Sequence, residues 1–350
     1  MNLISKLKNC HELNFEEAFN LQTDILDGKL ATSEILEVFN SIDSRPFDKY
    51  QNSLKISENE FEGFVKASIE KTIKIKTDIE TVDIVGTGGD NLNTFNISTA
   101  SCLLAASFGL KIAKHGNRSA SGIFGSADVL EALGLDLEKS PQEILKDLES
   151  QNFAFLYAKK YNPSFRFVAE ARKLFGKKTY FNFLGPLLNP ITPKYMLLGL
   201  SDFSMANLMG TQLIKSGLKK IWIVSSLSGM DEISALENTK VKEFRKLSIS
   251  NLNLQLKNTN KEFEVSEFEI NPLDFGLKLG KIQDIQIQNA KEAILIFKDV
   301  LNNKANQTQK NSVLLNTAAV LTITGFVKDF REGLKISEDK LNQGLDFSGF

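Results

Sequence analysis

The residues Gly86-Thr87-Gly88-Gly89-Asp90 and Lys114-His115-Gly116-Asn117-Arg118 combine the types that bind phosphate. Three glycines within four residues let backbone N–H groups approach a ligand with no Cβ in the way. Asn96-Ile97-Ser98-Thr99 then leads into Ala100 to Phe108, an apolar, small-residue stretch that reads as a helix closed by Gly109. Its N-terminus offers free amides and the positive end of a dipole to an anion. In the second stretch, two cations adjoin Ser119, Gly122, Gly125 and Ser126, with Ser126 placed to cap a helix from Ala127 to Leu133. Two such cradles so close in sequence suit a ligand with two phosphate groups.

These loops need strands to carry them. Thr81 to Val85 is a β-branched, apolar run that reads as a buried strand ending in the glycines, and Leu110 to Ala113 reads as a second strand. The loop lacks the third glycine of the dinucleotide motif, and no Gly-Lys-Ser/Thr follows it, so neither common nucleotide fingerprint fits. Strand and helix alternate from residue 81 onward. Helices are expected from Ser140-Pro141-Gln142-Glu143, over Phe165 to Phe175, Met205 to Lys215, Asn289 to Leu301 and Ser312 to Gly325. Strands are expected at Phe153 to Leu156, Tyr195 to Leu200 and Lys220 to Val224. Lys240 to Glu269 predicts two or three antiparallel strands with turns at Asn251 and Asn258, and Asn302 to Lys310 an exposed loop. The first residues are instead helical throughout: Leu3 to Leu7, Phe15 to Leu26, Ser33 to Phe39 with a cap at Thr32 or Ser33, and Glu58 to Ile73. The expected architecture is α/β: a small all-helical N-terminal domain over 1–78, suited to packing or dimerisation, and a larger α/β domain over 79–350. A mostly parallel central sheet flanked by helices forms the larger domain.

Composition bounds the partners. With 42 basic and 43 acidic residues the net charge is −1, which favours neither nucleic acid nor a membrane surface. Cys10 and Cys102 have no metal or redox spacing. No signal-peptide pattern and no long uncharged apolar run is present, so the expectation is a soluble cytoplasmic protein.

Further residues carry chemistry when taken with the cradles. Asp231-Glu232 follows the expected strand Lys220 to Val224, and adjacent carboxylates at a strand end supply Mg²⁺ ligands when phosphate and water complete the shell. Elsewhere such a pair is ordinarily a solvated surface feature. His115, one of two histidines, sits inside the cationic motif and is expected near substrate. Arg172 lies on the basic helix, and a guanidinium fork matches a carboxylate in two-point contact.

Together, Gly86-Thr87-Gly88-Gly89-Asp90, Asn96-Ile97-Ser98-Thr99, Lys114-His115-Gly116-Asn117-Arg118 and Gly125-Ser126-Ala127-Asp128-Val129-Leu130-Glu131 resemble the signature of the anthranilate phosphoribosyltransferase family. Phe181 to Pro190, Asp231-Glu232, Asn316-Thr317-Ala318-Ala319 and Glu332-Gly333 match in the same order, so the resemblance covers about residues 80 to 345. It implies transfer of phosphoribosyl from 5-phosphoribosyl 1-diphosphate to the amine of anthranilate, in tryptophan biosynthesis. The donor-binding set it implies is Gly86, Gly88, Gly89, Asp90, Thr94, Asn96, Ser98, Thr99, Lys114, Arg118 and Ser126. For anthranilate it implies Gly86, His115, Asn117, Arg172, Gly185 and Pro186, and for two Mg²⁺ ions per subunit it implies Ser98, Asp231 and Glu232. A homodimer formed through the helical domain, and association with anthranilate synthase, are implied as partners.

The chain departs from the family at three places: Asn162 stands before Pro163 and Ser226 before the acidic pair where the family commonly has histidine, and Lys178 stands near Thr179 in place of arginine. These thin the polar lining expected on the acceptor side. A pyrimidine-nucleoside phosphorylase shares the architecture but carries a lysine-serine signature that is absent here. A non-catalytic nucleic-acid-binding relative is expected to have a basic groove and eroded carboxylates, against a net charge of −1 and an intact Asp231-Glu232.

Overall fold

The computed structural model describes residues 3–119, 123–247 and 262–345; Gly122 and the turns expected at Asn251 and Asn258 lie outside the described residues. Helices α1 (Leu3–Lys8), α2 (Phe15–Leu26), α3 (Thr32–Asp43), α4 (Phe47–Tyr50) and α5 (Glu58–Lys71) come first. Capping boxes, Asn14 with Glu17 and Ser57 with Glu60, begin α2 and α5. At α3 the cap is neither Thr32 nor Ser33: Ala31 holds that position, and the Glu34 carboxylate accepts its N–H at 2.8 Å. Glu60 also receives the Arg45 guanidinium at 2.7 and 2.9 Å, in a fully buried ion pair.

The rest alternates: β1 (Val82–Gly86), α6 (Ile97–Ala106), β2 (Ile112–Gly116), α7 (Ser126–Ala132), α8 (Pro141–Gln151), β3 (Phe153–Tyr157), α9 (Ala158–Tyr161), α10 (Ala169–Phe175), α11 (Phe181–Leu184), β4 (Tyr195–Gly199), α12 (Ala206–Lys215) and β5 (Lys220–Ser226). An antiparallel pair, β6 (Thr239–Lys246) and β7 (Phe263–Ile270), and three helices, α13 (Ala290–Leu301), α14 (Gln307–Ile323) and α15 (Phe330–Asn342), follow. The strands form one sheet in the order β3-β2-β1-β4-β5-β6-β7, parallel from β3 to β5. The parallel part is largely buried on both faces, as a sheet covered twice requires, whereas β7 is mostly exposed. Val82, Ile84, Leu197 and Trp222 pack with α6, α13 and α14, whereas Met196, Leu198, Ile221 and Ile223 pack in one core with α2, α3, α5 and α12. Val168, Ala171, Tyr180 and Phe181 join that second core, and the Tyr180 ring stacks on Phe64 with centroids 4.3 Å apart. The segment after β3 is thereby fastened to the N-terminal helices.

Several boundaries differ from expectation, each for a local reason. Strand β2 runs on past Ala113 because its ladder to β3 continues to Gly116, opposite Tyr157, so Lys114 and His115 are strand residues. Ser126 is the first residue of α7 and not its cap; Gly125 is the cap, and the Asp128 carboxylate accepts its N–H at 2.9 Å. The stretch expected as one helix from Phe165 begins as a 3₁₀ turn over Pro163–Val168, with Phe165 N–H bonded to Asn162 O at 3.2 Å, and becomes α-helical at Ala169. The loop expected over Asn302 to Lys310 ends at Asn306, which caps α14 in a box with Gln309.

Candidate active site

The C-terminal ends of β1, β2, β4 and β5 lie side by side, where open α/β sheets place ligands. After β5 a turn brings Asp231 across the ends of β1 and β4. The passage is narrow: a Cβ on Gly86 would collide with Asp231 Oδ2, and one on Gly199 would collide with the Asp231 backbone carbonyl. Asp231 Oδ2 accepts the Gly88 N–H at 2.6 Å, and Glu232 Oε1 accepts the Ser98 N–H at 3.0 Å at the start of α6. The carboxylates therefore hold one amide of the glycine loop and one at the start of α6. Burial pushes both carboxyls well above the usual carboxylate range, with the neighbouring Asp90 adding at Asp231 and Asp231 adding at Glu232.

Lys114 is buried and reaches beneath this pair, donating to Ile84 O at 2.7 Å and to Ser98 Oγ at 3.2 Å. Asn96 Oδ1 and Thr99 Oγ1 are buried with no hydrogen-bond partner among the described residues. Arg118 is engaged elsewhere, by Asp128 and Glu131 at 2.8 Å. A cleft of about 440 Å³ gathers Gly86, Gly88, Gly89, Asp90, Thr94, Asn96, Ser98, Thr99, Lys114, Arg118, Ser126, Asp231 and Glu232. Every residue expected to hold the donor or metal thus shares one cavity.

Among the described residues no group of three or more His, Cys, Asp and Glu side chains forms a metal-ligand set by itself. The two carboxylates and the Ser98 hydroxyl suit Mg²⁺, which takes few protein ligands and fills the rest of its shell with phosphate and water. Both are half-buried, and a divalent cation beside them would favour their charged forms.

A second cavity of about 630 Å³ is lined by Gly86, His115, Asn117, Arg172, Gly185 and Pro186, with Phe165, Phe181 and Leu188 supplying apolar wall. The two cavities share Gly86, His115, Asn117, Arg172 and Gly185. Arg172 is half-buried with its guanidinium 6.0 Å from the Phe181 ring centroid, and has no ion pair among the described residues. Burial lowers its pKa. His115 is buried: Nδ1 lies 3.1 Å from Gly185 O, and Nε2 lies 3.3 Å from Asn162 Nδ2. Burial pushes its pKa down to about 4, with Lys74 and Lys114 adding to the effect.

Of the three departures, only Asn162 lines the second cavity. Ser226 instead shapes the turn that delivers Asp231, accepting the Met230 N–H at 3.0 Å. Lys178 stands over the glycine loop, its Cε 3.2 Å from where a Gly89 Cβ would be, and donates to Ser201 Oγ at 3.0 Å. Sequence reasoning missed Asp83 and Asn189. Asp83, fully buried, accepts from His115 N–H at 3.3 Å and from Asn189 Nδ2 at 2.8 Å, and burial raises its pKa to about 6. The signal was an acid inside the apolar run Thr81 to Val85.

Fold and site define a glycosyl transferase: residues 78–346 match the profile of the glycosyl transferase family, a/b domain. The chain is 37% identical over 337 residues to anthranilate phosphoribosyltransferase of Caldicellulosiruptor saccharolyticus, covering 95% of this chain and 91% of that one. To its counterpart in Nitrosopumilus maritimus it is 36% identical over 348 residues, covering 99% and 93%. The chain belongs to the anthranilate phosphoribosyltransferase family. Among solved structures, anthranilate phosphoribosyltransferase from Thermus thermophilus superposes with a TM-score of 0.80 at 27% identity, over 97% of this chain and 94% of that one. The Saccharomyces cerevisiae enzyme in complex with PRPP and Mg shares the fold, with a TM-score of 0.81 at 23% identity over 97% and 93%.

Proposed function

We propose that this chain transfers the phosphoribosyl group of 5-phosphoribosyl 1-diphosphate to the amine of anthranilate, giving N-(5-phosphoribosyl)anthranilate and diphosphate, as its family does in tryptophan biosynthesis. One observation carries the reading: a cleft of amides and carboxylates opens onto an apolar cavity at Gly86, His115, Asn117, Arg172 and Gly185. Breaking the C1–diphosphate bond makes the ribose cationic and the leaving group more anionic, so fixed dipoles and cations matter more than a strong base. The glycine loop, the start of α6 and the Thr99 hydroxyl bind and orient the diphosphate, and Lys114 places positive charge beneath it. Asp231, Glu232 and Ser98 are the residues that would hold Mg²⁺, at two ions per subunit. When bound, Mg²⁺ neutralises charge on the departing diphosphate. Arg172 grips the anthranilate carboxylate while Gly185, Pro186 and Phe181 shape the slot for the ring. Holding the amine in line with C1 supplies up to roughly 7–11 kcal/mol of the barrier in the best cases.

The same reading takes 1–78 and 79–350 as two domains, with 163–185 attached to the first; the shared packing of Phe64 with Tyr180 supports it. It includes a cytoplasmic homodimer and association with anthranilate synthase, which sedimentation velocity of the protein alone and mixed with that enzyme tests. The reaction itself is tested by loss of anthranilate fluorescence with donor and Mg²⁺, repeated with EDTA and with Asp231→Asn/Glu232→Gln. Loss that EDTA and the double variant both abolish is expected; loss that persists in EDTA would remove the metal assignment.

A further inference from the structure

His115 stands where the two cavities meet, and what it can do depends on which ring nitrogen carries a proton. A chain of hydrogen bonds from outside the site answers this. Thr72, at the end of α5, has its Oγ1 2.8 Å from Asn162 Oδ1; Asn162 Nδ2 lies 3.3 Å from His115 Nε2; His115 Nδ1 lies 3.1 Å from Gly185 O. The last contact fixes one end, because a carbonyl only accepts, so Nδ1 bears hydrogen.

The other end turns on the Asn162 amide. With Nδ2 toward the ring, Nε2 accepts and the imidazole is neutral. With the amide reversed, Oδ1 would face the ring, Nε2 would also need hydrogen, and His115 would be an imidazolium. The Thr72 hydroxyl has a single proton and two acceptors in reach, Asn162 Oδ1 at 2.8 Å and Ser68 O at 3.1 Å. The hydroxyl can serve either orientation, because it can accept from Nδ2 while donating to Ser68 O; what separates them is that the reversed amide would place a cation in a buried position beside Lys74 and Lys114. Asp83 touches His115 only through the backbone N–H and offers the ring no counter-charge.

We propose that Asn162 is a positioning residue that keeps His115 neutral with its Nε2 lone pair engaged by the Asn162 amide, while Nδ1–H props the Gly185 carbonyl at the junction of the cavities, so that His115 takes no proton from the acceptor amine. This rests on the transferase reading only for the identity of the acceptor; the tautomer stands apart from it. It assigns a role in this chain to a residue that departs from the family pattern. It also ties the acceptor wall to the connection between α5 and β1, where the Ile73 N–H is bonded to Tyr161 O at 2.8 Å.

The chain has two histidines, so the test is direct. Nitrogen-15 NMR of the full protein labelled at histidine, with His11→Gln to assign the signals, reads the tautomer near neutral pH. The expected spectrum shows a proton-bearing Nδ1 and a lone-pair Nε2 for His115. Asn162→Asp, of the same shape but without a donor, is expected to move Nε2 to the proton-bearing form and to raise the anthranilate KM several-fold, leaving the donor KM unchanged. A wild-type His115 with hydrogen on Nε2, or a tautomer unaltered by Asn162→Asp, would overturn the proposal. The wild-type spectrum decides the tautomer even if the variant folds poorly. Absence of anthranilate consumption by the wild type would overturn the transferase reading and with it the statement about the amine, separately from the spectrum.

Discussion

A guanidinium kept half out of water with no carboxylate beside it is costly for a protein on its own, and the cost is offset when a ligand brings the missing charge. Arg172 is such a group. Arg172→Ala should raise the anthranilate KM by about ten- to a hundredfold, the scale of a lost charge-assisted hydrogen bond, while the donor KM stays within error. Equal rises in both constants would end the clamp assignment. His115 makes a prediction about stability. Its folded pKa of about 4 lies below the ordinary 6.5, so the unfolded chain binds the extra proton first. Its contribution is complete above 6.5 and is lost as pH falls toward 4, by about 3 kcal/mol at most. Urea unfolding across that window should fall less steeply for His115→Asn than for the wild type. At this scale the grouping of the glycines, Lys114 and the acidic pair was legible from their types and order, and the structure gathers them in one cleft. Asp83 and the Asn162 relay were not, since their meaning lies in partners 106 and 47 residues away, Asn189 and His115.

Elements decide whether those residues meet. Alternation from residue 81 predicted the parallel sheet, and caps such as Ser140 with Glu143 marked helix starts that the structure keeps. Pairing overrode local preference at β2, where the ladder to β3 carries the strand past Ala113 as far as Gly116 and so turns Lys114 and His115 toward opposite faces of the sheet. The two glycines that let Asp231 pass can be ranked by what they would strike. A Gly199→Ala methyl meets backbone and should cost several kcal/mol in denaturant unfolding, as overpacking costs about 1–3 kcal/mol where side chains can yield. Gly86→Ala strikes the tip of the Asp231 carboxylate instead. It should leave the unfolding midpoint nearer the wild type while activity and Mg²⁺ response collapse; a variant with full activity would show that the carboxylate position is unimportant.

At the scale of the whole molecule, one apolar core runs from the N-terminal helices to a face of the sheet; Val85, Phe165, Phe181 and Leu188 carry that core to the second cavity, while among the described residues none of 3–78 lines it. Arg45–Glu60 is the buried ion pair within the helical part, and removing one partner leaves an uncompensated charge. Glu60→Ala should therefore destabilise by about 3–5 kcal/mol, read by chemical denaturation; Arg45→Met/Glu60→Leu together should recover only part of it, because the Leu13 and Ser57 N–H groups still lose the carboxylate that accepts them. The cleft itself has a broader consequence. Asp231 and Glu232 grip the Gly88 and Ser98 amides that a phosphate would also seek. A bare diphosphate in the proposed site would have to displace both carboxyls from those amides. A diphosphate that arrives with its cation meets the same carboxylates as welcome ligands. On the proposed donor reading, diphosphate carrying Mg²⁺ is expected to bind this cleft more tightly than bare diphosphate, which calorimetry with and without the cation measures.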